Sequence, residues 1–314
     1  MVDEILLSIY CFLMTFLGLF GNGTVLFFSV RYDAINIDQI SLILIQNLAF
    51  ADIMYTICTI FPQMITYFTG GWILGEVYCF ISAQLAFVPG SVNALTVLLI
   101  TSYRLILITN PFFSISRSTA KILSFSTWVV GTSGTIISLA YNSTSKFEKN
   151  MGSCMSSVYK HPDGRTTLDI AAGIIILLPL LVIATENAIL LVYAVRNAKK
   201  MNTSAQKALV MICTLSGVFV VSWVPFVVVT VGKVRNSSIL DTIAVHAVFL
   251  NAAANPILYS LTNRRFGRYL KEALCKAVCL RSKPMRSVPS TNAIISNTVS
   301  TGAASAKQAG TTEL

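Results

Sequence analysis

Asp52 is a carboxylate in the middle of a long apolar run of the chain, from about residue 40 to residue 64. If that run crosses a bilayer, the acid costs roughly 2.5–3.5 kcal/mol even on the lenient insertion scale, so it requires partners. Asn22, Asn93, Asn251 and Asn255 also sit inside apolar runs and can supply them. Amides beside a carboxylate either hydrogen-bond it or offer oxygen ligands to a cation. The chemistry expected here is a polar switch or an ion site, with plain hydrogen bonding between helices as the alternative.

Covalent catalysis has little to work with. The chain holds two histidines, His161 and His246, and no cysteine–histidine spacing suited to zinc. It has no glycine-rich phosphate loop, and Asp52 has no second carboxylate at its depth. No enzyme is expected. His246, inside an apolar run, reads as a pocket or packing residue, and Glu186, near the end of another, is given no role. Among the 7 cysteines, Cys11, Cys58 and Cys213 read as small apolar side chains.

The elements that hold these residues are apolar blocks. The chain has 314 residues, of which 54% are hydrophobic and 11% charged, and a mean hydropathy of +0.71. A soluble domain devotes about a quarter of its residues to charge, so lipid is the expected solvent. Seven blocks fall at about 5–31, 40–64, 77–106, 119–140, 168–195, 206–231 and 240–261. Each is long enough to span a core of about 30 Å as a helix. Backbone groups in lipid must pair within the segment, and the short alternating segments of a membrane barrel are absent. Pro62, Pro89, Pro179, Pro225 and Pro256 interrupt these blocks and loosen the helices locally.

Orientation follows from lysine and arginine. With the N-terminus outside, 17 basic residues fall on the cytoplasmic side and 6 on the outer side, as the positive-inside rule requires. The basic pI of about 9.3 is then mostly a matter of topology, and nucleic-acid binding has little support. In this orientation Cys79 and Cys154 are the cysteines placed outside, where a disulfide persists. The sequons at Asn142 and Asn236 face outward as candidate glycan acceptors. An amphipathic segment from about Arg264 to Cys275 follows the last block. Cys275 and Cys279 beside it are either palmitate acceptors or free thiols. Residues 281–314 are rich in Ser, Thr, Ala and Gly and read as a disordered cytoplasmic tail.

Together these features resemble the rhodopsin-like (class A) family of G protein-coupled receptors, over nearly the whole chain up to about residue 280. The motifs run in order. Gly21-Asn22 and Val25 stand in the first block, and Asn47-Leu48-Ala49-Phe50-Ala51-Asp52 in the second. Trp72 with Gly75 precedes Cys79, whose family partner corresponds to Cys154. Trp128 marks the fourth block and Pro179 the fifth. Phe219 with Ser222-Trp223-Val224-Pro225 marks the sixth, and Asn255-Pro256-Ile257-Leu258-Tyr259 the seventh, followed by Phe266.

The resemblance implies an all-α seven-transmembrane helix bundle with a short amphipathic eighth helix, residues 1–280 forming the receptor domain. It implies a plasma-membrane receptor that carries an extracellular signal to a heterotrimeric G protein, with arrestin as a further partner through the tail. Asp52, Asn93, Asn251 and Asn255 match its allosteric sodium pocket, with Asn93 at a position that is usually serine. Arg104 matches the arginine that contacts the G protein. Trp223, Phe219, Pro225, Pro256 and Tyr259 match its activation switches. Signalling would be a population shift between two states.

Some positions depart from the pattern. Tyr103-Arg104-Leu105 replaces Asp-Arg-Tyr, Ala205 stands where an acid is usual, and Asn187 replaces a common tyrosine. A weakened resting lock on Arg104 and appreciable basal signalling are expected. Ala86 stands where amine receptors keep an aspartate, and Phe249 where opsins keep the retinal-binding lysine, which disfavours a monoamine or retinal. Gln84, Ala86, His246 and Phe249 are the ligand-pocket candidates, suited to a small amphipathic molecule or short peptide. Two other readings stand beside this one. The first is a receptor-like scavenger or dimer partner without signalling. The second is a membrane transporter, against which the absence of half-to-half similarity counts.

Overall fold

The computed structural model describes residues 2–31, 38–110, 112–140, 144–148, 152–157, 173–197, 203–231 and 238–262, with a few single positions at 199 and between 267 and 275. By compactness the chain divides into Met1–Lys271 and Glu272–Leu314; the described residues of the first unit form a bundle of seven helices.

The helices are α1 (residues 2–31), α2 (39–69), α3 (Gly75–Thr109), α4 (Arg117–Ala140), α5 (173–197), α6 (Thr203–Val231) and α7 (Ser238–Thr262). Six of them are long and apolar enough to cross a membrane. The other, α4, has the length, but nine of its 24 residues are Ser or Thr. Those hydroxyls bond to carbonyls, as Thr127 does to Ser124, Thr132 to Val129 and Ser133 to Val130. The helix therefore carries few unmet polar groups despite its lower hydropathy. The bundle has the polarity of a membrane protein: Phe12, Ile122, Phe125 and Val221 are exposed, whereas Asn22, Asp52, Ser91, Thr96 and Ser216 are fully buried.

Helix lengths differ from the sequence reading at their ends. α2 continues to Thr69, where Gly70 adopts φ 71° and its N–H returns to the Thr66 carbonyl, a left-handed cap that suits glycine. α1 and α2 each contain one wide π turn, Leu17–Gly21 and Thr56–Ile60. The two turns meet: a Cβ on Gly18 would strike the Thr56 hydroxyl, and one on Gly21 would lie 2.6 Å from Pro256 Cγ. Prolines fall inside α3, α6 and α7 at Pro89, Pro225 and Pro256, each removing a backbone bond that its helix would otherwise make.

The all-α bundle carries one small addition outside its helices. Thr144–Glu148 and Ser153–Ser157 pair antiparallel as β1 and β2, with Phe147 opposite Cys154. A connection lying across the end of the bundle must satisfy its own backbone, and strand pairing does so locally. Of the expected eighth helix, residues 267–268, 271–272 and 275 are described, as helical. Its remainder, Cys279, the tail, and the sequons at Asn142 and Asn236 lie outside the described residues.

Candidate functional site

The disulfide sets one end of the bundle. Cys79, in the first turns of α3, is bonded to Cys154 of β2 with Cα atoms 5.3 Å apart. Trp72 and Phe147 pack against the bridge. The bond clips the hairpin across the bundle: a Cβ on Gly152 would lie 2.7 Å from the Tyr67 hydroxyl and 3.1 Å from Gln63 Nε2. Under this cover lies a seam of α1, α2 and α7. His246 Nδ1 is 2.7 Å from the Thr242 carbonyl, its Nε2 is 3.8 Å from Cys11 Sγ, and its ring meets those of Tyr10, Tyr67 and Phe249. Of the four pocket candidates, His246 and Phe249 thus sit together in this seam. Ala86 is half-buried on α3, and the Gln84 carbonyl accepts from Thr135 of α4.

At mid-depth the Asp52 carboxylate is fully buried. Asn93 Nδ2 donates to its Oδ1 at 2.9 Å and Asn255 Nδ2 to its Oδ2 at 2.7 Å, so one acid ties α2 to α3 and α7. The side-chain oxygens of Asn93, Asn255 and Asn22 are buried without a hydrogen-bond partner. Asn22 does not bond Asp52; its Nδ2 donates to the carbonyls of Gly18 and Ala252 and holds α1 to the backbone of α7. Asn251 is buried on α7 and makes no hydrogen bond to Asp52. Next to this layer, Trp128 Nε1 donates to Asn47 Oδ1, and Asn47 Nδ2 donates to Thr96 and Thr127.

The aromatic residues lie alongside. Phe219 and Trp223 have ring centroids 5.7 Å apart, and Trp223 reaches α3, its Cη2 3.1 Å from where a Gly90 Cβ would stand. Pro225 follows within α6, and Pro256 and Tyr259 lie on α7, Tyr259 being almost wholly buried.

Arg104 occupies the opposite end from the disulfide. Neither Tyr103 nor Ala205 supplies the acid usual in the family pattern, but another carboxylate reaches the arginine. Its Nη2 donates to Asp38 Oδ2 at 2.6 Å and to Ser41 Oγ at 3.0 Å. Asp38 caps α2, its Oδ1 accepting the Ser41 N–H, so the acid is held in place before it meets the arginine. Glu186 of α5, given no role from sequence, accepts from Thr101 Oγ1 at 2.6 Å and Ser102 Oγ at 2.7 Å on α3.

The family described as 7 transmembrane receptor (rhodopsin family) matches residues 21–259. This chain belongs to that family. The receptor is 24% identical over 291 residues to the tachykinin-like peptides receptor 86C of Drosophila melanogaster, covering 84% of this chain and 57% of that one. It is 22% identical over 291 residues to the probable G-protein coupled receptor 19 of Homo sapiens, covering 88% and 69%. The receptor therefore spans little more than half the length of the Drosophila relative. In fold it is similar to squid rhodopsin, with a TM-score of 0.70 at 17% identity over 90% of this chain and 88% of that one. Rhodopsin-family receptors are a non-enzymatic class.

Proposed function

We propose that the receptor carries an extracellular ligand signal to a heterotrimeric G protein across the plasma membrane, with its disulfide end outside and its Arg104 end in the cytoplasm. The observation that carries this reading is the Asp52 network. A buried acid is tied to α3 and α7 beside helices interrupted by Pro89, Pro225 and Pro256, and the reading takes this network as the element that repacks between two states. A ligand that favours one arrangement shifts the population towards it. Trp223, between Phe219 and Gly90, would feel a ligand from the disulfide side. Arg104, once parted from Asp38, would be free to meet the G protein.

The residues around Asp52 fit an allosteric sodium ion. Asp52, Asn93 and Asn255 present a carboxylate and two unpartnered amide oxygens, the hard donors such a cation takes. When bound, the ion would neutralise the buried acid. The chain's own part is to hold those oxygens together from three helices.

A ligand of peptide character suits an interior with an apolar floor and scattered polar groups, and the Drosophila relative is itself a peptide receptor by name. Ala86 and Phe249, in place of the aspartate and lysine of amine receptors and opsins, weigh against a monoamine or retinal. The test is a panel of chimeric G proteins expressed with the full chain and with Asp38→Asn, at matched surface levels and without ligand. A second-messenger response from either chain with any chimaera supports coupling. Silence from both throughout the panel overturns it in favour of a non-signalling receptor-like partner or scavenger.

A further inference from the structure

Asp241 stands in the first turn of α7, where an acid ordinarily serves the helix dipole. Its surroundings ask for more. Its side chain is 5% exposed, and its Oδ1 is buried without a hydrogen-bond partner. Its direction follows from helix geometry. Asp241, Val245, Val248, Ala252, Asn255 and Tyr259 recur at alternating steps of four and three, one stripe of α7, and all are buried. Asn255 on that stripe reaches Asp52 at the centre of the bundle, so Asp241 heads the same inward face at the disulfide end. His246 lies off this stripe, in the seam with α1 and α2.

A second polar group lies deeper. The Trp223 indole N–H is also buried without a partner, and its ring rests against Gly90 of α3. Gly90 is three residues before Asn93, about 4–5 Å nearer the disulfide end than the Asp52 layer, whereas Asp241 is fourteen residues before Asn255, about 21 Å along α7. Along the bundle axis, roughly 16 Å therefore separates the level of an acceptor that lacks a donor from that of a donor that lacks an acceptor. The positions between them on the α7 stripe, Val245, Val248 and Ala252, are apolar. An unpaired buried carboxylate is costly and a cation relieves it; an unpaired buried N–H is relieved by a carbonyl.

Resting on the receptor reading above, we propose that Asp241 is the anchor for a basic side chain of the ligand, an arginine or a lysine. A hydrogen-bond acceptor of the same ligand then reaches the Trp223 indole. The span corresponds to about five extended residues at ~3.3 Å each, which makes the ligand a short basic peptide with apolar side chains. Its cation is read from α7, in a chain whose α3 has Ala86 where amine receptors carry their acid.

The test uses the purified full-length receptor and pools of N-acetylated, C-amidated pentapeptides, apolar at four positions and carrying arginine, its uncharged isostere citrulline, or glutamate at the fifth. Thermal unfolding is followed as peptide is titrated. The arginine pool is expected to raise the Tm at concentrations about tenfold below those the citrulline pool needs. Asp241→Asn should erase that difference, Asp241→Glu should keep it, and Asp241→Arg should move the preference to the glutamate pool. The ligand-free Tm of each variant shows whether it folds. Equal responses to the three pools, an arginine preference that survives Asp241→Asn, or no response of the wild-type chain to any pool would each overturn the proposal. No G protein enters this measurement, so a receptor that binds the arginine pool yet stays silent in the chimaera panel would overturn the signalling reading alone.

Discussion

Arg104 Nη2 lies 2.6 Å from Asp38 Oδ2, an ion pair between the end of α3 and the residue that caps α2. The tyrosine at 103 removes the neighbouring acid that the family pattern supplies, and a carboxylate 66 residues earlier in the chain takes its place. The restraint differs in consequence. A lock to α2 ties the arginine to a helix that also carries Asp52, and leaves α6 without an acid at Ala205.

Breaking this pair is expected to raise basal signalling. The two side chains are 16% and 35% exposed, so the pair is worth the few tenths to about 1 kcal/mol usual for solvated ion pairs. That is roughly a two- to fivefold change in the active fraction while it remains small. Asp38→Asn should raise ligand-independent second-messenger output by that factor, and Asp38→Glu should stay near the wild-type level. Tyr103→Asp adds a second acid beside Arg104 and should lower output. Unchanged output in all three would remove the lock.

What could be read in the sequence was what is costly to place in lipid. Asp52, Asn93 and Asn255 stand out because each is polar inside an apolar run, and the structure joins them through direct hydrogen bonds. Asn22 stands out equally, yet it bonds the backbone of α1 and α7 instead, since spacing along a helix does not say which neighbour an amide will face. Asp38 lies in a polar stretch where one more acid carries no signal, and its meeting with Arg104 depends on how α2 and α3 pack. Glu186 shows in the sequence as an acid but not as a partner of α3, and Asp241 as a first-turn acid but not as a buried one. The hairpin 144–157 shows little apolar alternation, so nothing in its pattern announced two strands.

Sodium should stabilise the receptor through Asp52. Binding to the folded state alone raises stability by an amount set by concentration relative to Kd. The Tm of the purified chain is therefore expected to be higher in sodium chloride than in an equal concentration of N-methylglucamine chloride. Asp52→Asn should abolish the difference because it removes the charge that neutralises the ion. Asn93→Ala should reduce it, taking one oxygen ligand away. An equal sodium effect in the wild type and Asp52→Asn would place the ion elsewhere or show that none binds.

The close contact of the two π turns gives a packing prediction. A methyl group at residue 18 meets the Thr56 side chain directly, and overpacking of this kind costs typically 1–3 kcal/mol. Gly18→Ala should lower the apparent Tm and surface expression. Thr56 Oγ1 bonds the Asp52 carbonyl within its own helix, so trimming it to alanine costs little at that helix and opens space. The double variant Gly18→Ala/Thr56→Ala should recover much of the loss, and a strictly additive double variant would argue against the contact.

The Glu186 clamp links the α5 end of the bundle to the turn of α3 just before Arg104. Thr101 Oγ1 also lies within reach of the Val97 and Leu98 carbonyls, to which its single hydrogen can turn when Glu186 is lost, whereas Ser102 loses its acceptor. Hydrogen bonds to a charged group contribute about 1.5–3 kcal/mol each, at the lower end here because the carboxylate is half-buried. Glu186→Ala is expected to cost about 2 kcal/mol, a fall of roughly 4–8 °C in apparent Tm for a bundle of this size. Ser102→Ala in that background should add little, because the two changes remove the same bond. Basal output should rise with Glu186→Ala as α5 is freed from α3, and Glu186→Gln, which still accepts one hydroxyl, should fall between. If Glu186→Ala and Ser102→Ala lower the Tm independently, the clamp does not hold the helices together, and the acid merely borders the lipid.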